Sequence, residues 1–386
     1  MKNITTIFFL ALTIFLCSCS ETQEIKENTF TVSGTLAGLD TEYMSTSYTD
    51  ETGKRITDSV FVKDGSFSYT APIHQTTHII FWPNVERTIK RSGRGYYPAK
   101  SSQFAFLASP GDDIVFEGEV TDFINAYPTG SAANVDLANI NSQVFPLLNK
   151  SVNTLLEKNK LAEEDTVNIK LLEASIETLD EEVLQLKKAF VNSKQNSEAA
   201  VWYLSDMMMR SQVSDEEAIK MFNNIDNSLS SNPYYQEIAA RVEGIESTLL
   251  GKIVPDFSTS NTLDGTEFKF SSLRGKYVLI DFWGTWCAPC VAEMPKLKEY
   301  QEKYADQLVV LGINSGDTKE KIEAFIAPKE YTWTQLLAGK GNDNLVLKFN
   351  VAGFPTKFII DPNGKILNRF VGDGEGSFGA LDELLQ

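Results

Sequence analysis

Within residues 30 to 127 apolar and polar positions alternate over short stretches, as in Phe30-Thr31-Val32-Ser33-Gly34 and Phe67-Ser68-Tyr69. That alternation, in segments rich in Thr, Tyr, Phe and Val and broken by Gly-containing turns, predicts short strands and hairpins. Asp64-Gly65, between Val60-Phe61-Val62 and Phe67-Ser68-Tyr69, carries the chemistry of a tight hairpin turn. The segment is expected to form a small antiparallel β domain, with His74 and His78 as ordinary residues of it. The pattern changes over residues 132–250, where Leu, Glu, Lys and Ala dominate and Gly and Pro are sparse. Leu172, Ile176, Leu179, Val183, Leu186 and Phe190 step by four and three, which draws one apolar stripe along a helix. Packing within a helical bundle is the favoured reading. A coiled-coil seam joining a homodimer is the alternative, with three heptads the bare minimum for it. Residues 252–386 alternate apolar runs, Tyr277 to Phe282 and Leu308 to Ile313, with amphipathic stretches such as Lys319 to Ala327. Lys357 to Ile360 and Ile366 to Val371 follow, on either side of the turn Asp361-Pro362-Asn363-Gly364. This is an α/β pattern around a central sheet.

Length and composition fit such a multidomain chain. Its 386 residues suffice for two or three domains, and 42% apolar, 23% charged and 11% aromatic residues exclude a disordered or multi-span membrane protein. The net charge of −17 makes nucleic acid a poor partner; from Lys252 onward 15 basic face 18 acidic residues, so most of the acidity precedes that point. Lys2 and the apolar run Ile4 to Leu16, shorter than the ~20 residues of a membrane span, read as a secretory signal over residues 1–18. Leu16-Cys17-Ser18-Cys19 resembles the bacterial lipobox. The resemblance makes Cys19 the lipidated N-terminus of a membrane-anchored protein, with residues 19–29 as a tether.

With Cys17 removed and Cys19 blocked, Cys287 and Cys290 are the remaining thiols. A single close pair in a compartment that permits disulfides points to exchange chemistry rather than stapling. Trp286-Cys287-Ala288-Pro289-Cys290 follows an apolar strand and opens a helix, where unpaired N–H groups and the helix dipole favour a thiolate. Cys287 is the expected nucleophile, and Cys290, one turn further in, the resolving thiol. A zinc site would need partners that His74 and His78 are too few and too distant to supply. No metal or cofactor is expected.

These residues, with Val254-Pro255-Asp256-Phe257, Asp281-Phe282-Trp283, Glu293-Met294-Pro295 and Gly353-Phe354-Pro355-Thr356, resemble a thioredoxin-fold domain of the extracytoplasmic kind, related to thiol-disulfide oxidoreductases of cytochrome c maturation. The resemblance covers residues 252–386. It implies an α/β thioredoxin fold, a cis bond before Pro355, and a client-binding surface that includes Trp286, Pro289, Phe354 and Pro355. It also implies a buried acid at Asp281 that relays the Cys290 proton, with Glu293 as a second acid. Trp283 is expected beside Trp286 and Phe354 on an apolar surface around the thiols, with a place in the core as the alternative. Residues 30–127 resemble an uncharacterised domain found ahead of thioredoxin-like domains in envelope lipoproteins, which names no activity.

The function these signs imply is a lipid-anchored thiol:disulfide oxidoreductase of the cell envelope facing the periplasm. It acts as a reductase on disulfide-containing envelope proteins and is fed by a membrane dithiol donor. A peroxiredoxin-type thiol peroxidase is one alternative, although Ile280 and Gly284 stand where its signature has Pro and Thr. A non-catalytic binding module is the other.

Overall fold

The computed structural model describes residues 28–50, 53–93, 95–372 and 374–385. The signal, Cys19 and most of the tether lie outside the described residues. The first strands are β1 (Thr29–Thr35), β2 (Tyr43–Thr49), β3 (Arg55–Lys63), β4 (Ser66–Pro72), β5 (Thr77–Trp82), β6 (Lys90–Ser92), β7 (Gly95–Tyr97), β8 (Phe104–Ala108), β9 (Asp113–Val120) and β10 (Ile124–Thr129). Eight of them form one sheet in the order β10-β9-β1-β4-β3-β2-β5-β8, and β6 with β7 makes a separate hairpin. The β3–β4 turn is Asp64-Gly65, both at positive φ (51° and 72°), the left-handed backbone that a two-residue hairpin demands. The sheet departs from the expected antiparallel plan at one place: β1 and β9, far apart in sequence, pair in parallel. Its edge strands β10 and β8 approach each other, so the sheet curls around an aromatic core. Phe81 meets Phe106 edge-on at 5.1 Å and Phe104 meets Phe116 at 5.2 Å, the offset geometry that aromatic quadrupoles favour.

Five helices follow: α1 (Ala132–Lys158), α2 (Thr166–Ser193), α3 (Glu198–Met209), α4 (Asp215–Phe222) and α5 (Pro233–Ser247). Ser131 caps α1, accepting from the Asn134 amide, and Ser214 with Glu217 forms a capping box on α4. The apolar stripe of α2 turns inward: Val183 and Phe190 lie in one core with Leu137, Ile140 and Val144 of α1. Leu186 packs against the same core, while Leu172 and Ile176 nearer the start of the helix stay partly exposed. Asn134 also bonds both backbone groups of Leu107, at 3.0 and 2.7 Å, tying α1 to edge strand β8 and occupying hydrogen-bonding groups there.

The C-terminal region holds the short pair β11 (Ser258–Thr259) and β12 (Phe268–Lys269), then β13 (Tyr277–Trp283), β14 (Leu308–Asn314), β15 (Thr334–Leu337), β16 (Thr356–Ile360) and β17 (Ile366–Val371). The last five form a sheet ordered β15-β14-β13-β16-β17, parallel from β13 to β15 and antiparallel at β16 and β17. With it come α6 (Ala288–Lys303), α7 (Lys319–Ile326), α8 (Leu345–Lys348) and α9 (Gly374–Leu384). This is the thioredoxin arrangement. Central strand β13 is buried along almost its whole length because both sheet faces are covered, which explains its continuous apolar run. Its alternation sends Leu279 and Trp283 to the face that packs on Cys287, Cys290 and Met294, and Val278, Ile280 and Phe282 to the other.

Candidate functional site

The chain leaves β13 through a turn in which the Cys287 N–H donates to the Gly284 carbonyl at 3.0 Å, and Cys287 then becomes the N-cap of α6. Pro289 sits in the first helical turn, where a missing N–H costs nothing. Cys287 and Cys290 are joined as a disulfide with Cα atoms 5.3 Å apart, and the Cys290 amide donates to Cys287 Sγ at 3.3 Å. Both cysteines are buried, while Ala288 and Pro289 beside them are exposed and Trp286 is 56% exposed. The Trp286 ring is fixed in place: its Nε1 donates to the Ser315 carbonyl at 2.8 Å and it stands edge-on to Phe354 at 5.1 Å. The Phe354–Pro355 peptide bond is cis, and the buried Pro355 offers its carbonyl to the Gly372 N–H at 2.8 Å. Trp286, Phe354 and the cysteine turn are thus brought to one surface. Trp283 is not part of it. Contrary to expectation it is fully buried, because its position on β13 points into the sheet's covered face, where its Nε1 donates to Gln335 Oε1 at 2.9 Å.

Beneath the disulfide lies a charged cluster. Asp281, on the same strand face as Leu279 and Trp283, is 1% exposed. Opposite it in register on β16 stands Lys357, also 1% exposed, two residues after Pro355. Lys357 Nζ is 3.2 Å from Asp281 Oδ1 but directs a short hydrogen bond to Glu293 of α6, so neither Asp281 oxygen receives a well-aligned bond. Glu293, three residues after Cys290, shares its helix face. Two carboxyls therefore compete for one ammonium. Burial holds the Asp281 carboxyl above its ordinary range, Lys357 opposing and Glu293 adding to the rise. Burial by itself would lower Lys357, but the two carboxylates beside it outweigh that and keep it firmly protonated. The cluster thus sets a buried carboxyl of raised proton affinity on the strand face that packs toward the cysteines.

A third carboxylate fixes the cysteine turn from outside. Asp317 accepts from the Thr285 backbone N–H and hydroxyl, both at 2.7 Å, from Asn314 Nδ2 at 3.0 Å and from Lys321 Nζ at 2.6 Å. Its side chain has no solvent exposure; burial opposes the charge, but these donors hold its pKa down to about 2. Lys357 and Asp317 were absent from the sequence-based candidates. Lys357 had one legible signal, a lone cation within the apolar run that follows Pro355; Asp317 had none, since its role depends on how the β14 end folds back to Thr285. Among the described residues no cluster of His, Cys, Asp and Glu could hold a metal ion.

The AhpC/TSA family model matches residues 250–369, and a domain of unknown function, DUF4369, matches residues 30–137. The thioredoxin-like protein YneN of Bacillus subtilis is 37% identical over 141 residues, 36% of this chain and 79% of that protein. The thiol-disulfide oxidoreductase ResA of Geobacillus thermodenitrificans is 36% identical over 124 residues, 32% of this chain and 70% of ResA. The chain belongs to this thioredoxin-like family of thiol-disulfide oxidoreductases. A solved structure of a putative thiol:disulfide interchange protein DsbE from Chlorobium tepidum is similar over 36% of this chain and 95% of its own, at 30% identity and a TM-score of 0.32. The oxidoreductase carries its family likeness in the C-terminal third, where the Cys287–Cys290 pair lies. Its described residues include no helix long and apolar enough to cross a membrane.

Proposed function

We propose that the oxidoreductase is a reductase of the cell envelope, anchored through lipid on Cys19, with residues 30–127, 132–250 and 252–386 as its three units. Its clients are disulfide-bearing exported polypeptides, including those of cytochrome c maturation, and a membrane dithiol donor restores it. The observation that carries this reading is the buried disulfide at the α6 N-terminus, rimmed by exposed Trp286 and Pro289. In the reduced state the Cys287 thiolate attacks a client disulfide. A Cys287–client bond forms, the client S–S bond breaks, and one client sulfur leaves as thiolate. Cys290 then gives its proton to Asp281 and attacks Cys287 Sγ, releasing the second client thiolate and restoring the disulfide. Two electrons pass to the client; Asp281 returns the Cys290 proton to one departing client thiolate, and the other client thiolate takes from solvent the proton that Cys287 released on becoming a thiolate. Lys357 sets how readily Asp281 accepts, and Glu293 shares that cation. Trp286, Pro289, Phe354 and Pro355 provide the surface on which the client chain lies.

Peroxidase chemistry fits the site poorly. A Cβ at Gly284 would stand 2.4 Å from Trp286 Nε1, so the threonine of that signature has no room at this turn. The test of the proposal is a Cys290→Ser trap in intact cells, which removes the resolving thiol and leaves clients bound to Cys287. Covalent complexes with exported, disulfide-containing proteins that dissolve on reduction are the expected result. Absence of such complexes, with the variant folded and in the envelope, would contradict it.

A further inference from the structure

Between the N-terminal sheet and the helices lies a cavity of about 660 Å³ that thiol exchange does not use, within the ~300–1,000 Å³ typical of small-molecule sites. Its walls come from β2 and β5 on one side and from α1, α2, α3 and α5 on the other. They carry three cations, Lys100, Lys187 and Arg210, against one carboxylate, Asp206, in a chain of net charge −17. Asp206 is already engaged by Lys100 at 2.7 Å and by Arg210 at 2.9 Å. Lys187, 3% exposed, has no carboxylate within 4.0 Å among the described residues. Its Nζ reaches Gln212 Oε1 at 3.3 Å and faces the Tyr203 ring at 6.0 Å.

A buried ammonium without a counter-ion is costly, and a fold retains one where something offsets the cost. Burial, with Lys100 and Arg210 adding to it and Asp206 and Asp180 opposing, draws the Lys187 pKa down to about 8. Beside these cations is a flat aromatic wall. The His78 imidazole stacks on Trp202 with centroids 4.0 Å apart and planes 16° from parallel, and its Nε2 has no hydrogen-bond partner. Burial, reinforced by Lys100, pushes His78 down to about 3, so the stack is neutral at pH 7.

We propose that this cavity binds a small organic anion with a flat apolar body, its charged group at Lys187 and its body along Trp202 and His78. The site is separate from the cysteine turn and does not depend on the direction of thiol exchange. The probe is anilinonaphthalene sulfonate, titrated into the intact folded protein by fluorescence, with the uncharged phenylnaphthylamine as control. One saturable site per chain is expected. Lys187→Met should weaken it by roughly tenfold or more, the worth of a charge-assisted contact, and the uncharged control should bind weaker by a similar factor. Thiol exchange at Cys287 should not change. No saturable site, equal affinity in Lys187→Met, or equal affinity for the uncharged control would each overturn the proposal. Should Lys187→Met lose its cooperative melt, Arg210→Gln at the cavity's half-exposed margin decides by the same criterion, with a loss of about threefold expected.

Discussion

Lys357→Met removes the cation that Asp281 and Glu293 share, and the structure says what should follow. Asp281 is 1% exposed and receives no well-directed hydrogen bond, so without Lys357 it takes up a proton instead of remaining charged. Holding protonated an acid whose unfolded pKa is ~3.9 costs about 1.4 kcal/mol per pH unit above that value. The cost is about 4 kcal/mol near pH 7 and about 1.5 kcal/mol near pH 5. These are upper bounds on the destabilisation, because the wild-type carboxyl is already raised and carries part of the same cost. For an acid whose folded pKa lies above its unfolded value, the penalty is absent below the unfolded pKa and grows as pH rises toward the folded one. The variant should therefore fall further below wild type near pH 7 than near pH 5, by at most roughly 2–3 kcal/mol. The assay is urea unfolding read by hydrogen-exchange mass spectrometry on peptides of β13 and β16, which isolates the C-terminal sheet from the other regions. Adding Asp281→Asn should restore most of the loss. Equal destabilisation at both pH values, or no rescue by Asp281→Asn, would refute the reasoning.

Asp317→Asn should cost on the order of 1–2 kcal/mol at neutral pH, since the wild-type carboxyl sits at about 2 rather than ~3.9. That contribution is present above the unfolded pKa and lost as pH falls through about 2, so the acid limb of a stability–pH curve should be flatter in the variant. Trp286→Ala, at a 56% exposed position, should change stability by less than about 1 kcal/mol but raise KM for a disulfide peptide roughly tenfold in a steady-state exchange assay.

Four strands of the C-terminal sheet, β13, β14, β16 and β17, were legible because each is a run bounded by turns, whereas the short edge strand β15 was not singled out; the cysteine turn was legible because a strand, a small loop and a helix N-terminus follow one another within a few residues. The hairpin at Asp64-Gly65 was legible for the same reason: its signal is local. What escaped depended on contacts between distant segments. The parallel β1–β9 pair joins residues about eighty positions apart, and no periodicity announces it. Lys357 acquires its role only when β16 is laid beside β13 in the register that sets it against Asp281. Trp283 was misplaced because its nearness to Cys287 in sequence suggested nearness at the surface, whereas the alternation of β13 turns it inward. The buried Lys187 lies within the apolar stripe of α2, where a long polar residue is easily taken for the solvated face.

The most direct test of the account is the reduction potential of the Cys287–Cys290 pair, measured by equilibrating the protein with glutathione or dithiothreitol buffers and trapping the thiols. A reductase is predicted to poise near the ~−270 mV of thioredoxin, whereas a value near ~−120 mV, or a pair that does not cycle, would contradict it.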